Sequence, residues 1–81
     1  MLKVKADKMK DLEKFKLKYH REQRSIYEHY SYITKNDFYN NELHLCVWCH
    51  NREIKVFDRE GQDLLFDLIT SDMVEKVVED E

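Results

Sequence analysis

Two short segments near the middle of the chain alternate apolar and polar residues, and this pattern constrains the fold more than any other feature. The segments are ELHLCVWC (residues 42–49) and REIKVFD (residues 52–58). Alternation with a period of two is typical of a strand with one buried face. A two-residue hairpin loop at 50–51 then predicts one wholly apolar side. That side contains Val47 opposite Ile54 and Leu45 opposite Val56.

The other side of the predicted hairpin is mixed in character. Both strands agree in one register, and a slip by one residue would turn every side chain to the opposite face. His-Asn is a weak turn pair, so a slightly longer loop is the alternative. The mixed side needs a cover, which the second helix or another subunit would supply. Its predicted pairs are Trp48 with Glu53, Cys46 with Lys55, and His44 with Phe57.

Residues 7–24 are dense in Lys, Glu, Leu, Met, Arg and Gln, a composition that favours a helix. A competing pattern is the strand-like alternation within residues 15–19. Residues 25–34 are rich in Tyr, Ile and Thr and fit either a strand or a continuation of the helix. Residues 35–41 predict a turn. The apolar residues that support the first helix are Met9, Leu12, Phe15, Tyr19 and Ile26.

The segment after residue 58 predicts an acidic C-terminal helix in one or two pieces. Apolar residues recur there every four positions, with a possible break at 70–72. A turn at Gly61 followed by another strand is the alternative. With 81 residues, we expect one α+β domain over 1–81. Its predicted order is α-β-β-β-α, with a basic N-terminal helix, an antiparallel meander and the acidic helix; α-β-β-α is second. The periodic residues are Leu65, Ile69, Met73 and Val77.

Charge is divided unevenly along the chain. Residues 1–24 contain nine Lys or Arg against four Asp or Glu, whereas residues 25–81 contain five against thirteen. On a helical wheel five of these basic residues fall in one narrow sector: Lys3, Lys10, Lys14, Lys18 and Arg21. Such a row could neutralise nucleic-acid phosphates by releasing counterions. The predicted nucleic-acid-binding residues are Lys10, Lys14, Lys18 and Arg21.

The chain has two cysteines, in the sequence Cys46-Val47-Trp48-Cys49-His50, which matches the CxxCH pattern of c-type haem attachment. In a strand, residues three apart point to opposite faces, so they could not hold one porphyrin or one zinc ion. We therefore expect free thiols, no metal and no cofactor. One glycine and no proline exclude glycine-rich phosphate loops. Without a recognisable set of catalytic residues, we expect no enzymatic activity.

The composition is typical of a small, charged bacterial or phage gene product. The longest apolar run is residues 45–49, too short to cross a membrane, and the N-terminal residues do not form a signal-peptide pattern. We expect a cytoplasmic, homodimeric module that regulates or binds a host or cellular protein. Nucleic-acid binding through the basic helix is the alternative. The predicted partner-binding anchors are Tyr27, Tyr30, Tyr32 and Trp48, because Tyr and Trp dominate protein interfaces.

Overall fold

A computed structural model describes residues 1–21, 28–35 and 41–78, and these residues form an α+β fold. Strands β2 to β5 form a four-stranded antiparallel sheet in sequence order, and β1 pairs with β6 in a separate two-stranded sheet. A 3₁₀ helix and one α-helix complete the described structure. The elements in chain order are β1 (Leu2–Val4), the 3₁₀ helix (Ala6–Lys14), β2 (Lys18–Arg21), β3 (Glu28–Lys35), β4 (Asn41–Trp48), β5 (Ile54–Val56), α1 (Arg59–Thr70) and β6 (Val74–Lys76).

The α+β class is confirmed, but the order of elements differs from both predicted orders. The predicted helix over 7–24 is wrong at residues 18–21, which form β2 and pair with β3. Leu17, just before β2, is buried in the core. Pairing with β3 therefore overrides the helical composition of this segment, and the strand-like alternation within 15–19 was the informative pattern. Residues 22–27, 36–40 and 79–81 lie outside the described part of the chain.

The C-terminal segment divides at the predicted break. α1 ends at Thr70, and residues 74–76 form β6 instead of continuing the helix. Asp72 lies between them with a φ of 61°, a left-handed conformation that interrupts a right-handed helix. Residues 28–35 form β3, so the described part of the ambiguous segment 25–34 is a strand.

The hairpin register is confirmed. β4 and β5 pair Leu45 with Val56 and Val47 with Ile54, as the alternation predicts. The loop is longer than two residues: the backbone N–H of Arg52 donates to the carbonyl of Trp48 at 2.8 Å. Arg52 has a φ of 62°, so a left-handed residue closes the turn.

One face of the sheet, the inner face, carries the core. Its side chains alternate along the strands and include Leu45 and Val47, both fully buried. Both helices supply buried leucines to the same cluster. Burial of one such side chain contributes roughly 1.5–3 kcal/mol, so this face carries most of the fold's apolar stabilisation. The buried cluster consists of Val4, Leu12, Leu17, Leu45, Val47, Leu64, Leu68 and Met73.

A β-bulge in β4 changes the direction of one side chain. Tyr32 pairs with Leu45, but Ile33 pairs with Leu43, so His44 is the extra residue. Its backbone still accepts a hydrogen bond from the N–H of Phe57 at 3.0 Å. Its ring, however, lies 4.8 Å from the inner-face ring of Tyr32. The prediction that the His44 side chain belongs to the mixed, outer side is therefore wrong.

The hairpin loop is tied to the two-stranded sheet by one side chain. Arg52 Nη1 donates to the carbonyl of Val4 and to a carboxylate oxygen of Glu75, each at 3.1 Å. β1 also meets the hairpin through a bridge between Lys3 and Glu53. Within the described residues, no helix is long and apolar enough to cross a membrane.

Candidate binding face of the sheet

The outer face of the four-stranded sheet carries a row of aromatic rings. The register places His20 opposite His29 and His29 opposite Trp48, so their side chains share one side. Ring centroids are 5.3 Å apart for His20 and His29, 5.5 Å for His29 and Trp48, and 6.2 Å for Trp48 and His50. All four residues keep part of their surface exposed. We call these four residues the ring row.

A second row beside it has small, buried groups at its centre and lysines at its ends. Lys18 pairs with Ser31, Ser31 with Cys46, and Cys46 with Lys55. Ser31 and Cys46 are only 1% and 3% exposed. The Ser31 hydroxyl lies 2.6 Å from His29 Nδ1, which joins this row to the ring row. The centre of this row is therefore uncharged, and a lysine lies at each end of it.

A groove of about 250 Å³ opens at the β2–β3 end of this face. Three lysines reach it: Lys16 from the segment before β2, Lys18 from β2 and Lys35 from β3. None of the three is ion-paired with a carboxylate of residues 1–21, 28–35 or 41–78. The full lining is Lys16, Lys18, His20, Ser31, Tyr32, Ile33, Lys35 and Asn41. We call this the lysine groove.

The described carboxylates of β2 to β5 lie on the inner side of the sheet. Glu28 pairs with Arg21, and Glu42 with Thr34, both at inner-face positions. Glu28 is also engaged there: a hydrogen bond to it is the main cause that raises the pKa of Tyr19 to about 12. The outer-face positions within β2 to β5 therefore present lysines and rings, and the nearest described acid is Glu53, which precedes β5 and whose carbonyl accepts from the Trp48 N–H at 3.1 Å.

The predicted partner-binding anchors do not share one surface. Tyr30 and Tyr32 lie on the inner face and pack against the core, whereas Trp48 belongs to the ring row on the outer face. Burial raises the pKa of Tyr30, and the Tyr32 hydroxyl donates to Glu60 at 3.3 Å. Tyr27 lies outside the described residues. The role of these four residues in binding stays a prediction.

The predicted basic residues are also divided. Lys10 and Lys14 are on the 3₁₀ helix, and Lys14 is 3.3 Å from Asp11. Arg21 ends β2 at an inner-face position, 3.8 Å from Glu28. Only Lys18 of this set lines the lysine groove. The single helical row does not exist because β2 replaces the second half of the helix.

Three side chains on the inner side form a series of hydrogen bonds that was not predicted from the sequence. His44 Nε2 lies 2.7 Å from the Thr34 hydroxyl, and His44 Nδ1 lies 2.6 Å from an Asp58 carboxylate oxygen. This order of groups resembles a catalytic triad. His44 is only 3% exposed, however, and the other oxygen of Asp58 caps α1 by accepting from the Gly61 N–H. We therefore assign it to holding α1 against the bulge.

The two cysteines are free thiols. Burial is the first cause that raises the pKa of both Cys46 and Cys49, which keeps them protonated. Cys49 lies one residue beyond β4, so the strand argument against a shared ligand covers only Cys46. Among the described residues, no three His, Cys, Asp or Glu side chains are grouped to hold a metal ion.

Comparison of the chain with protein-family models, with curated proteins and with solved structures finds no match.

Proposed function

We propose that the protein is a non-enzymatic binding module and that its outer face binds single-stranded nucleic acid. One observation carries the proposal: the ring row and the lysine groove adjoin each other on one face and share His20. Proteins that bind single strands combine rings on which bases stack with cations that contact phosphates. A sheet face with exposed rings is a frequent platform for this contact.

A single strand fits this surface better than a duplex. Reading a duplex requires an element that enters a groove, such as a helix or a two-stranded ribbon. The one described α-helix carries Glu60, Asp63 and Asp67 and a single cation, Arg59, so phosphates would repel it. Unstacked bases of a single strand, in contrast, can lie flat on partly exposed rings.

The chain supplies its own probe for this proposal, since Trp48 is its one tryptophan and belongs to the ring row. We expect a thymidine 12-mer to quench its fluorescence at low salt, whereas the matching duplex binds less tightly. Binding should weaken linearly with the logarithm of salt concentration, because lysine contacts displace counterions. Unchanged fluorescence together with no binding in an anisotropy titration of the labelled 12-mer would overturn the proposal.

Substitution at Trp48 separates stacking from general charge attraction. Trp48→Ala should weaken binding about 10-fold or more, because each stacked base contributes roughly 1–3 kcal/mol. Trp48→Phe keeps an aromatic ring and should restore most of the affinity. Val78→Ala is the control, since Val78 is 78% exposed and lies beyond β6, outside the ring row. Equal affinity for all three variants would show that the ring row does not contact the bases.

A protein partner is the second candidate, and a different surface favours it. Phe66 and Ile69 are 65% and 48% exposed and lie three residues apart on α1. Exposed apolar side chains one turn apart can anchor a partner. Light scattering tests the homodimer predicted from the sequence: Phe66→Asp should dissociate it. A strict monomer for both the unchanged chain and this variant would make the homodimer prediction wrong.

A further inference from the structure

We propose that the lysine groove is a subsite for one phosphate group, and that in the proposed function it holds a backbone phosphate of the bound strand. This inference deepens the nucleic-acid proposal and depends on it for the source of the phosphate. The groove brings together the side chains of Lys16, Lys18 and Lys35 with no described carboxylate in its lining. A multiply charged anion in the groove would be attracted to each of these cations.

The cations are held from separate parts of the sheet. Lys18 and Lys35 project from two paired strands. Lys16 Nζ lies 5.6 Å from the centroid of the Tyr32 ring, which belongs to the inner face, so this ammonium group already has a contact on the other side of the sheet. Lys18 and Lys35 are therefore the two cations on which the phosphate contact chiefly depends.

Neutral groups of the groove suit a phosphate as well. Asn41 supplies an amide N–H donor to the groove, whereas the buried Ser31 hydroxyl is already paired with His29 Nδ1 and forms only part of the groove wall. Ile33 supplies an apolar wall, which lowers the local dielectric constant and strengthens the lysine contacts. Lysine binds phosphate as a point charge without demanding the planar geometry of an arginine pair. The groove thus offers charge and hydrogen-bond donors to a tetrahedral oxyanion.

The position of the groove fits a nucleotide better than an isolated phosphate. His20 lines the groove and is also the first ring of the ring row, stacked 5.3 Å from His29. A phosphate in the groove would leave its attached base next to these two rings. The lysine groove would then fix one phosphate while neighbouring bases continue along the ring row toward Trp48.

The test uses the double variant Lys18→Gln/Lys35→Gln, which removes two cations without shortening the side chains greatly. We expect its affinity for the thymidine 12-mer to fall about 10-fold at low salt. Each lost lysine should also lower the salt slope by about 0.7, the value for one phosphate contact on a single strand. Lys8→Gln/Lys76→Gln is the matched control, because it removes two cations that lie outside the groove, one on the 3₁₀ helix and one on β6.

Two ligands distinguish the sources of the phosphate. Thymidine 5′-monophosphate and inorganic phosphate are titrated into the unchanged chain and the groove variant. The chemical shifts of the backbone amides at positions 18 and 35 are followed by nuclear magnetic resonance. If the 12-mer binds and the groove variant loses affinity and slope, the proposal stands with a backbone phosphate as ligand. Saturable shifts with the small phosphates but no 12-mer binding would keep the phosphate subsite and overturn the nucleic-acid function. Unaltered 12-mer binding by the groove variant, with no saturable shifts, would overturn the subsite alone.

Discussion

The two faces of the four-stranded sheet use the same residue types in opposite ways. On the inner side, His44 is 3% exposed and both ring nitrogens have partners, Thr34 and Asp58. On the outer side, His20 and His29 stack as partly exposed rings beside lysines that form no ion pair with the carboxylates of residues 1–21, 28–35 and 41–78. A buried polar ring must satisfy its hydrogen bonds within the protein, whereas a partly exposed ring can also contact solvent or a ligand. Burial, and not residue type, therefore separates the structural histidine from the candidate binding ones.

The comparison predicts that inner-side substitutions change stability and that outer-side substitutions change binding. The largest effect is expected for Gly61→Ala, because a Cβ at Gly61 would collide with the backbone carbonyl of His44. That collision would push α1 away from β4, at a cost of about 3 kcal/mol or more in the free energy of unfolding. Urea denaturation followed by circular dichroism measures it. Gln62→Ala, on the exposed side of α1, is the control, and equal stability of the two variants would contradict the prediction.

The next effect is expected for His44→Ala. This change leaves a cavity and removes the partners of Thr34 and Asp58, so we expect a loss of about 2–4 kcal/mol. Where the variant remains folded, its affinity for the thymidine 12-mer should be unaltered, since His44 faces away from the ring row. Differential scanning calorimetry and anisotropy provide the two measurements. Full stability combined with weakened binding would reverse the assignment of the two faces.

A smaller effect is expected from the pH dependence of the inner side. The hydrogen bond from the Gly61 N–H, followed by that from His44, holds the pKa of Asp58 below its usual range near ~4. A lowered pKa in the folded state stabilises the protein above the usual carboxyl pKa, and this contribution is lost as pH falls through the lowered value. Asp58→Asn keeps a cap for α1 but should flatten the dependence of stability on pH below the usual carboxyl pKa. An unchanged acid profile for this variant would contradict the prediction.

The smallest effect on stability is expected for His20→Ala, the outer-side counterpart of the His44 substitution. His20 is partly exposed, and among the described residues its ring stacks on His29, so we expect the free energy of unfolding to change by less than about 0.5 kcal/mol. Affinity for the 12-mer should nevertheless fall, because the ring row loses its end beside the lysine groove. The same denaturation and anisotropy measurements apply. A large loss of stability without weaker binding would show that the outer rings serve the fold.

Some of this arrangement could be predicted from the sequence because it depends on local alternation. The β4–β5 register follows from the positions of Leu45, Val47, Ile54 and Val56, which align in one way only if both strands bury the same face. β2 could not be predicted from composition, because Lys18–Arg21 are also compatible with a helix. Their strand conformation depends on pairing with β3, which is not a local property of the sequence. Tertiary pairing decided between two patterns that the sequence contained.

The candidate site was predicted only in part for a similar reason. Trp48 and Lys18 were selected for their chemistry, and both lie on the outer face. The alternation that places His29 and Ser31 together on β3 was present in the sequence, but its significance depended on the pairing of three strands. The direction of His44 could not be read from alternation at all, since a bulge interrupts the period at that residue.

The pairing of β1 with β6 has a consequence for how the protein reaches its native state. Leu2 pairs with Lys76, so β1 and β6 are brought together although all the other described elements lie between them along the chain. Contacts so distant along the chain form slowly, because the entropy of the intervening segment opposes them. We therefore expect the hairpin of β4 and β5 to form before β1 pairs with β6. The hydrogen bonds from Arg52 to Val4 and Glu75 would then form late, when the two-stranded sheet packs against the hairpin loop.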